Sequence, residues 1–325
     1  MKDSNKKKLN DINPDVLNLS KEPIFNEIDE EPLNELKAIT YKIFGENPVQ
    51  DFCRMIPIKS DTGQLTYLDY KYDGTEDDMG VVGLNVQQKF IQLQDYYVSA
   101  LMGREQIQDL KTFGIDAISL TENTLINEAK KGVAKEAMKK IDELGEQSYL
   151  DTLSKWDKFK SWLWKIFKKK YIKYQDVKNN PRLLIAKILN MSYQIAVDTR
   201  RGPGTAVILS PGLGTVIQDT GGFISDKENV PLPGTTIYPI GKMAGLTFYI
   251  DANRKWNDNA IHIIRKPDDS SPGLWIPWHE HGVTIQTIAE KNMAPKIALR
   301  IRYSIIEVGD AKQFVKKIYV KNMKL

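Results

Sequence analysis

Between Ser119 and Gly145 the apolar residues Ile126, Ala129, Val133, Ala137, Ile141 and Leu144 recur at helical spacing. Ser119 and Glu122 stand ahead of them as a capping box. The spacing predicts a helix of about 25 residues, roughly 38 Å long. Lys130, Lys131, Lys135, Lys139 and Lys140 occupy its other faces, so a single stripe is buried and the helix lies along a surface like a spine.

The rest of the chain must fold around that rod. Upstream, residues 1–38 are rich in Lys, Asp, Glu, Asn and Pro, with too few apolar positions to repay the ordering of a core. They read as a flexible arm or removable segment ahead of a folded body from 39 to 325. Residues 64–72 alternate polar and apolar like a half-buried strand, after turn chemistry at Asp61-Thr62-Gly63. Downstream, Asn180 caps a helix with Pro181 at its first position and Leu184, Ile188, Met191 and Ile195 on its buried face, ending at Arg200-Arg201-Gly202. Beyond Gly202, residues 205–210, 246–250, 260–264 and 296–308 are rich in β-branched and aromatic residues and read as strands. A helix-rich part followed by a strand-rich part predicts an α+β fold rather than alternating βαβ units.

Composition excludes several classes. With 41% hydrophobic and 27% charged residues the chain is an ordinary globular one. No apolar run approaches the roughly 18 residues of a membrane span. The 46 basic and 42 acidic side chains leave a net charge of +4, too small to announce nucleic-acid binding by overall field. The single cysteine, Cys53, excludes a disulfide framework within the chain and fits a reducing compartment. The segment MKDSNKKKLN lacks the apolar stretch of a secretory signal.

Candidate chemistry is sparse. Gly202-Pro203-Gly204 and Gly212-Leu213-Gly214 lack the third glycine of a dinucleotide fingerprint, and Gly241-Lys242 is followed by Met243 rather than Ser or Thr. All three are expected to be turns. In Trp278-His279-Glu280-His281, alternation along a strand would bring both imidazoles to one face, where a metal is conceivable. The spacing nevertheless misses the helical zinc motif, and a structural or interface role is the expectation. Cys53 beside Arg54 has no histidine neighbour in sequence and is expected to be buried. No catalytic residue, cofactor or metal is expected.

Residues 151–175 interleave Trp156, Phe159, Trp162, Leu163, Trp164, Ile166 and Phe167 with eight lysines. Such a tract serves as an amphipathic helix on a partner subunit, as a membrane-surface helix, or as a nucleic-acid stripe, and the subunit contact is the expectation.

Several landmarks in order carry a resemblance. The run from Met293 through Ala294-Pro295-Lys296 to Arg302-Tyr303 and Ile305 resembles the turn and long strand with an Arg-Tyr pair near the end of major head proteins of T-even-type tailed bacteriophages, and residues 315–321 resemble that family's basic last strand. Residues 55–65 are similar to the family's proline, short turn and strand, and 200–205 to its Arg-Gly helix end and glycine turn. The helix at 119–145 and the tract at 271–278 match in place. Residues 146–178 depart from the family's glycine-rich connection, and the short chain implies that an accessory domain is missing.

The resemblance implies the Hong Kong 97-type capsid fold. Its peripheral domain carries the spine helix and C-terminal strands, its axial domain lies at approximately 182–290, and arms extend from it. It implies a structural subunit that self-assembles into hexameric capsomers of an icosahedral head around DNA, in the virion after assembly in the bacterial cytoplasm. A vertex protein, a scaffold and a maturation protease are the implied partners, with DNA contacted non-specifically at the inner surface. A pentameric vertex subunit and an encapsulin-like shell share the fold. A peripheral membrane or nucleic-acid-binding protein built on 151–175 is the reading from another class. The family's protease motif, Leu or Ile, any residue, then Glu, places cleavage after Glu30 or Glu35 in the charged arm. Trp156, Phe159, Trp162, Arg302 and Tyr303 are the candidate interface residues.

Overall fold

The computed structural model describes residues 30–72, 82–166, 172–178, 180–226, 234–288 and 295–321. The chain divides into two units, Met1–Glu35 and Leu36–Leu325. Most of the expected arm lies outside the described residues, and a helix, Glu30–Gly45, begins before the expected boundary at residue 38.

The spine helix is longer than expected, Ala117–Thr152 with 36 residues, about 54 Å at a rise of 1.5 Å per residue. Its cap is Asp116 rather than Ser119. The Asp116 carboxylate accepts from the Ile118 N–H at 3.0 Å and from the Ser119 hydroxyl at 2.7 Å, so Ser119 donates to the cap instead of forming it. Gly145 does not end the helix. A Cβ there would lie 3.1 Å from both His262 Cδ2 and Lys317 Cβ, so the glycine lets the helix approach two strands closely. The helix stops where Leu153 turns to extended backbone and Ser154 caps the next helix, Lys155–Ile166, by accepting from the Asp157 N–H. Of the amphipathic helix expected across 151–175, the described part is Lys155–Ile166, and residues 151 and 152 belong instead to the end of the spine helix.

The predicted stripe from Ile126 to Leu144 is buried throughout. Lys130, expected on a solvent face, is buried as well. Its ammonium meets Glu46 at 2.6 Å, and its backbone carbonyl accepts from the Asn47 side chain.

Two sheets carry the rest. The first has six strands: Arg54–Ile58, Gly273–His279, Pro295–Tyr303 and Val283–Ile288 lie in that order, with Ile306–Val308 beside the second and Gln94–Leu101 beside the third. The second has seven, in the order Gln175–Asp176, Val315–Lys321, Ala260–Ile264, Ala206–Leu209, Leu246–Asp251, Ile237–Met243 and Ile224–Ser225. The expected strand 296–308 is broken in two, because after Tyr303 the Ser304 N–H donates to Pro277 and Ile306–Val308 pairs with the start of Gly273–His279. The expected division near residue 290 does not coincide with the sheets. Val315–Lys321 returns antiparallel to Ala260–Ile264, and Gly273–His279 and Val283–Ile288 belong to the six-stranded sheet.

Strand alternation distributes two cores across the seven-stranded sheet. Val207, Leu209, Ile261, Ile263, Ile318 and Val320 pack with Leu184, Ile188 and Ile195 of helix Pro181–Thr199 and with Leu213 and Ile217 of helix Pro211–Gln218. Ala206, Ile208, Ile264 and Val315 join the core of the spine helix and the six-stranded sheet. Both faces are covered, which is why these strands read as nearly unbroken apolar runs.

Candidate functional site

A third, two-stranded sheet leaves the body as a hairpin. Strands Thr62–Tyr72 and Val82–Gln92 pair in register from Thr62 with Gln92 to Tyr72 with Val82. Three contacts hold the middle of its first strand to the body. The Leu68 N–H donates to Ser270 at 2.8 Å, the Arg201 guanidinium donates to the Leu68 carbonyl at 3.0 Å, and Tyr67 is buried with Trp275 and Val308. Val86 and Phe90 are exposed. Val86 stands opposite Leu68 and Phe90 opposite Gln64, so the exposed side chains lie on the second strand level with the fastened part of the first, and a two-stranded hairpin, marginally stable on its own in water, gains order from whatever covers them.

Arg302 serves the root of the hairpin, its open end. Its guanidinium pairs with Asp61, whose carbonyl accepts from the Leu93 N–H just outside the Thr62–Gln92 pair. Tyr303, expected at an interface, is instead buried inside its own subunit. Its hydroxyl donates to Glu136 of the spine helix at 2.7 Å, and burial pushes the phenol pKa up. Strand alternation explains the difference, since Arg302 and Tyr303 face opposite sides of Pro295–Tyr303.

In the aromatic and lysine tract, Trp156 is 75% exposed, and Lys155, Lys158 and Lys160 are exposed. Asp157 is buried, hydrogen-bonded by Ser154 and paired with Lys173 at 2.7 Å. The side chains of Phe159 and Trp162 lie outside the described residues. Trp156→Ser is accordingly expected to change subunit stability by less than about 0.5 kcal/mol. Urea unfolding of wild type and variant checks this, and a loss of several kcal/mol would place the ring in a core.

The chemistry candidates resolve as structural groups. Cys53 is buried, and burial raises its thiol pKa, which disfavours a thiolate. Gly212 and Gly214 are helical rather than in a turn, and a Cβ on Gly214 would come within 2.7 Å of Ile250 Cδ1. His281 lies beyond the end of strand Gly273–His279, so the two imidazoles do not share a strand face. His279 Nδ1 accepts from the His281 N–H at 3.1 Å, and the rings are 5.7 Å apart. No cluster of three or more His, Cys, Asp or Glu fit for a metal occurs among the described residues.

Sequence reasoning missed a polar cluster between the spine helix and the seven-stranded sheet. His262 is fully buried, and its Nε2 lies 2.9 Å from Asp142. Lys317 reaches Asp142 at 2.6 Å and Glu146 at 3.1 Å, and the Tyr319 hydroxyl donates to Glu146 at 2.8 Å. These residues alternate along Ala260–Ile264 and Val315–Lys321, opposite an i, i+4 carboxylate pair on the helix. That pairing of spacings was available in the sequence, but only the strand register joins it.

A long helix laid across two sheets, with a hairpin rooted beside them, is the arrangement of Hong Kong 97-type shell subunits, and solved structures share it. The capsid structure of the cyanophage P-SCSP1u aligns over 85% of this chain and 88% of that one, at 10% identity with a TM-score of 0.51. The capsid of an empty GTA particle aligns over 85% and 90%, at 9% identity with a TM-score of 0.50. No curated protein matches the sequence. The family model of major capsid protein Gp23 matches residues 55–323. The chain belongs to that family, whose members are structural subunits of the tailed-phage head and so part of the virion. No helix among the described residues is long and apolar enough to cross a membrane.

Proposed function

We propose that this capsid protein is the hexamer-forming subunit, tiling an icosahedral head around packaged DNA. In this reading the spine helix and six-stranded sheet form the peripheral part, and the seven-stranded sheet forms the axial part near the capsomer centre. The observation that carries it is the Gp23 match over residues 55–323 in a chain whose hairpin leaves Val86 and Phe90 exposed. Closed symmetry multiplies such modest contacts into a stable particle. Assembly takes place in the bacterial cytoplasm, with a scaffold, a vertex protein and a maturation protease as partners. DNA meets the inner surface through phosphate charge rather than base readout.

Negative-stain microscopy of the expressed full chain, with and without scaffold, tests this. Shells, tubes or capsomer rings are expected. A strict monomer at every concentration and salt overturns it. Copy number in purified virions separates the hexamer subunit, which must dominate the protein, from a vertex pentamer. A genome-free shell around a protein cargo would identify an encapsulin-like compartment. The exposed Trp156 and its lysines favour a partner contact for residues 151–175. Monomeric binding of the full chain to anionic vesicles or DNA, without assembly, would shift the reading to a peripheral binding protein.

Processing follows from the same family. Glu30 is the first residue of helix Glu30–Gly45, whereas Glu35 lies inside it and within a unit boundary that falls after it. A protease needs extended, accessible backbone, so cutting after Glu35 requires the first turns of this helix to open. Terminal sequencing of subunits from infectious particles is expected to begin at Glu31 or Leu36. An intact Met1 or Lys2 terminus overturns the cleavage alone.

A further inference from the structure

We propose that the outer turns of helix Glu30–Gly45 are an acid-released strap, held on the body at neutral pH by an uncharged His281 beneath them. The inference stands apart from the shell reading, since it concerns a contact within one subunit. The inner end of the helix is anchored, with Ile43 and Phe44 fully buried and Phe44 stacked on Trp278 at 4.9 Å. Ahead of that anchor the helix rests on the backbone at residues 280–282. The Thr40 hydroxyl donates to the Glu280 carbonyl at 2.6 Å, and a Cβ on Gly282 would lie 3.0 Å from Thr40 Cγ2, so the seat is close-fitting. Two buried polar atoms in this neighbourhood, Trp278 Nε1 and His281 Nδ1, lack a hydrogen-bond partner among the described residues. An unpaired buried polar group costs free energy, so the seat already works against itself.

The groups around His281 oppose a proton on it. Lys37 on the helix, Arg302 on strand Pro295–Tyr303 and the His279 ring 5.7 Å away disfavour the charge, and Glu280 favours it. Asp61, the other acid nearby, is paired with Arg302 and lies 3.9 Å from His279 Nε2. His279 Nδ1 is engaged by the His281 backbone, accepting from its N–H at 3.1 Å and lying 3.3 Å from its carbonyl oxygen. Burial first, and then the neighbouring cations, hold the His281 imidazole below its ordinary 6.5. A neutral ring can leave Nδ1 bare, whereas imidazolium must carry a proton there with no acceptor. It would also add a third cation to Lys37 and Arg302. Lifting the outer turns relieves both, because water reaches the ring and Lys37 moves away. A lifted ring titrates near 6.5 and the seated one lower, so the hold is complete above pH 6.5 and weakens as pH falls below it. Release would also open the turns next to Glu35, which cleavage there requires.

Hydrogen exchange of the unassembled full chain at pH 7.5 and 5.0, corrected for intrinsic rates, tests it. Amides 37–42 are expected to exchange at least about fivefold faster at the lower pH, within a ceiling of about tenfold per pH unit below 6.5. The spine stripe from Ile126 to Leu144 is expected to stay protected. His281→Gln should remove the pH response, and Lys37→Gln, which keeps the histidine, should reduce it. His262→Gln should keep the full response, which separates the strap from the other buried imidazole. Equal exchange of 37–42 at both pH values in the wild type overturns the proposal, as does a full response in His281→Gln. A loss of protection shared equally by the spine stripe overturns it too, by making the effect global. If His281→Gln is already loose at pH 7.5, Lys37→Gln decides, and an undiminished response in that variant overturns the proposal.

Discussion

Trp275→Ala is expected to destabilise the unassembled subunit by about 3–5 kcal/mol, the range for deleting a large buried aromatic. The indole is 1% exposed, and its Nε1–H donates to the Ser271 carbonyl at 3.1 Å. The Arg54 guanidinium lies 4.6 Å from the ring centroid, held there by the parallel register that pairs Arg54 with Trp275. Tyr67 meets the indole edge-on at 6.4 Å and is the hairpin residue that enters the small core with Val308. Removing the ring therefore opens a cavity in the body and loosens the hairpin in one step. Urea unfolding should show the global loss, and hydrogen exchange should show Thr62–Tyr72 and Val82–Gln92 losing protection beyond it. Trp275→Phe keeps most of the packing and should fall between. A Trp275→Ala subunit within 1 kcal/mol of wild type would show that this core does not hold the hairpin.

Local signals in the sequence located the elements well where periodicity was strong. The stripe from Ile126 to Leu144, the cap and proline at Asn180-Pro181, and the strand at 260–264 all stand where spacing places them. What failed depended on contacts remote in sequence. Gly145 reads as a helix stop until two strands are known to press against it, and Lys130 reads as a solvent lysine until Glu46 is placed beside it. Tyr303 and Arg302 are neighbours in sequence, yet one fills the core and the other braces the hairpin root. The order of weak landmarks made the family legible, but the seat of helix Glu30–Gly45 on residues 280–282 was not. A histidine beyond a strand end looks the same in sequence whether a distant helix covers it or water does.

Acid is expected to weaken the join between the spine helix and the seven-stranded sheet through His262. Arg254 Nη2 lies 2.6 Å from His262 Nδ1. A guanidinium only donates, so Nδ1 accepts, and the proton sits on Nε2 and is donated to Asp142. Burial first, and then the Arg254 charge, push the imidazole from its ordinary 6.5 down to about 3. Above pH 6.5 neither state protonates this ring, and its contribution is complete. Between pH 6.5 and about 3 the unfolded chain binds a proton that the folded one refuses, so stability falls as pH falls, by at most about 1.4 kcal/mol per pH unit. Asp142 acts lower on the scale. Burial alone would raise its carboxyl, but the hydrogen bonds from His262 and Lys317 hold it well below the usual range, so its contribution is present above about pH 3.9 and is lost below that. Lys317 is the cation shared by Asp142 and Glu146, and its side chain is 3% exposed. Lys317→Met should cost about 2–3 kcal/mol at neutral pH, less than a fully enclosed pair because Asp142 is half exposed. Urea melts of the unassembled subunit from pH 7 to 4 should show a steep acid limb in wild type and a shallower one in His262→Gln. Parallel limbs in the two proteins would remove His262 as the source of the acid sensitivity.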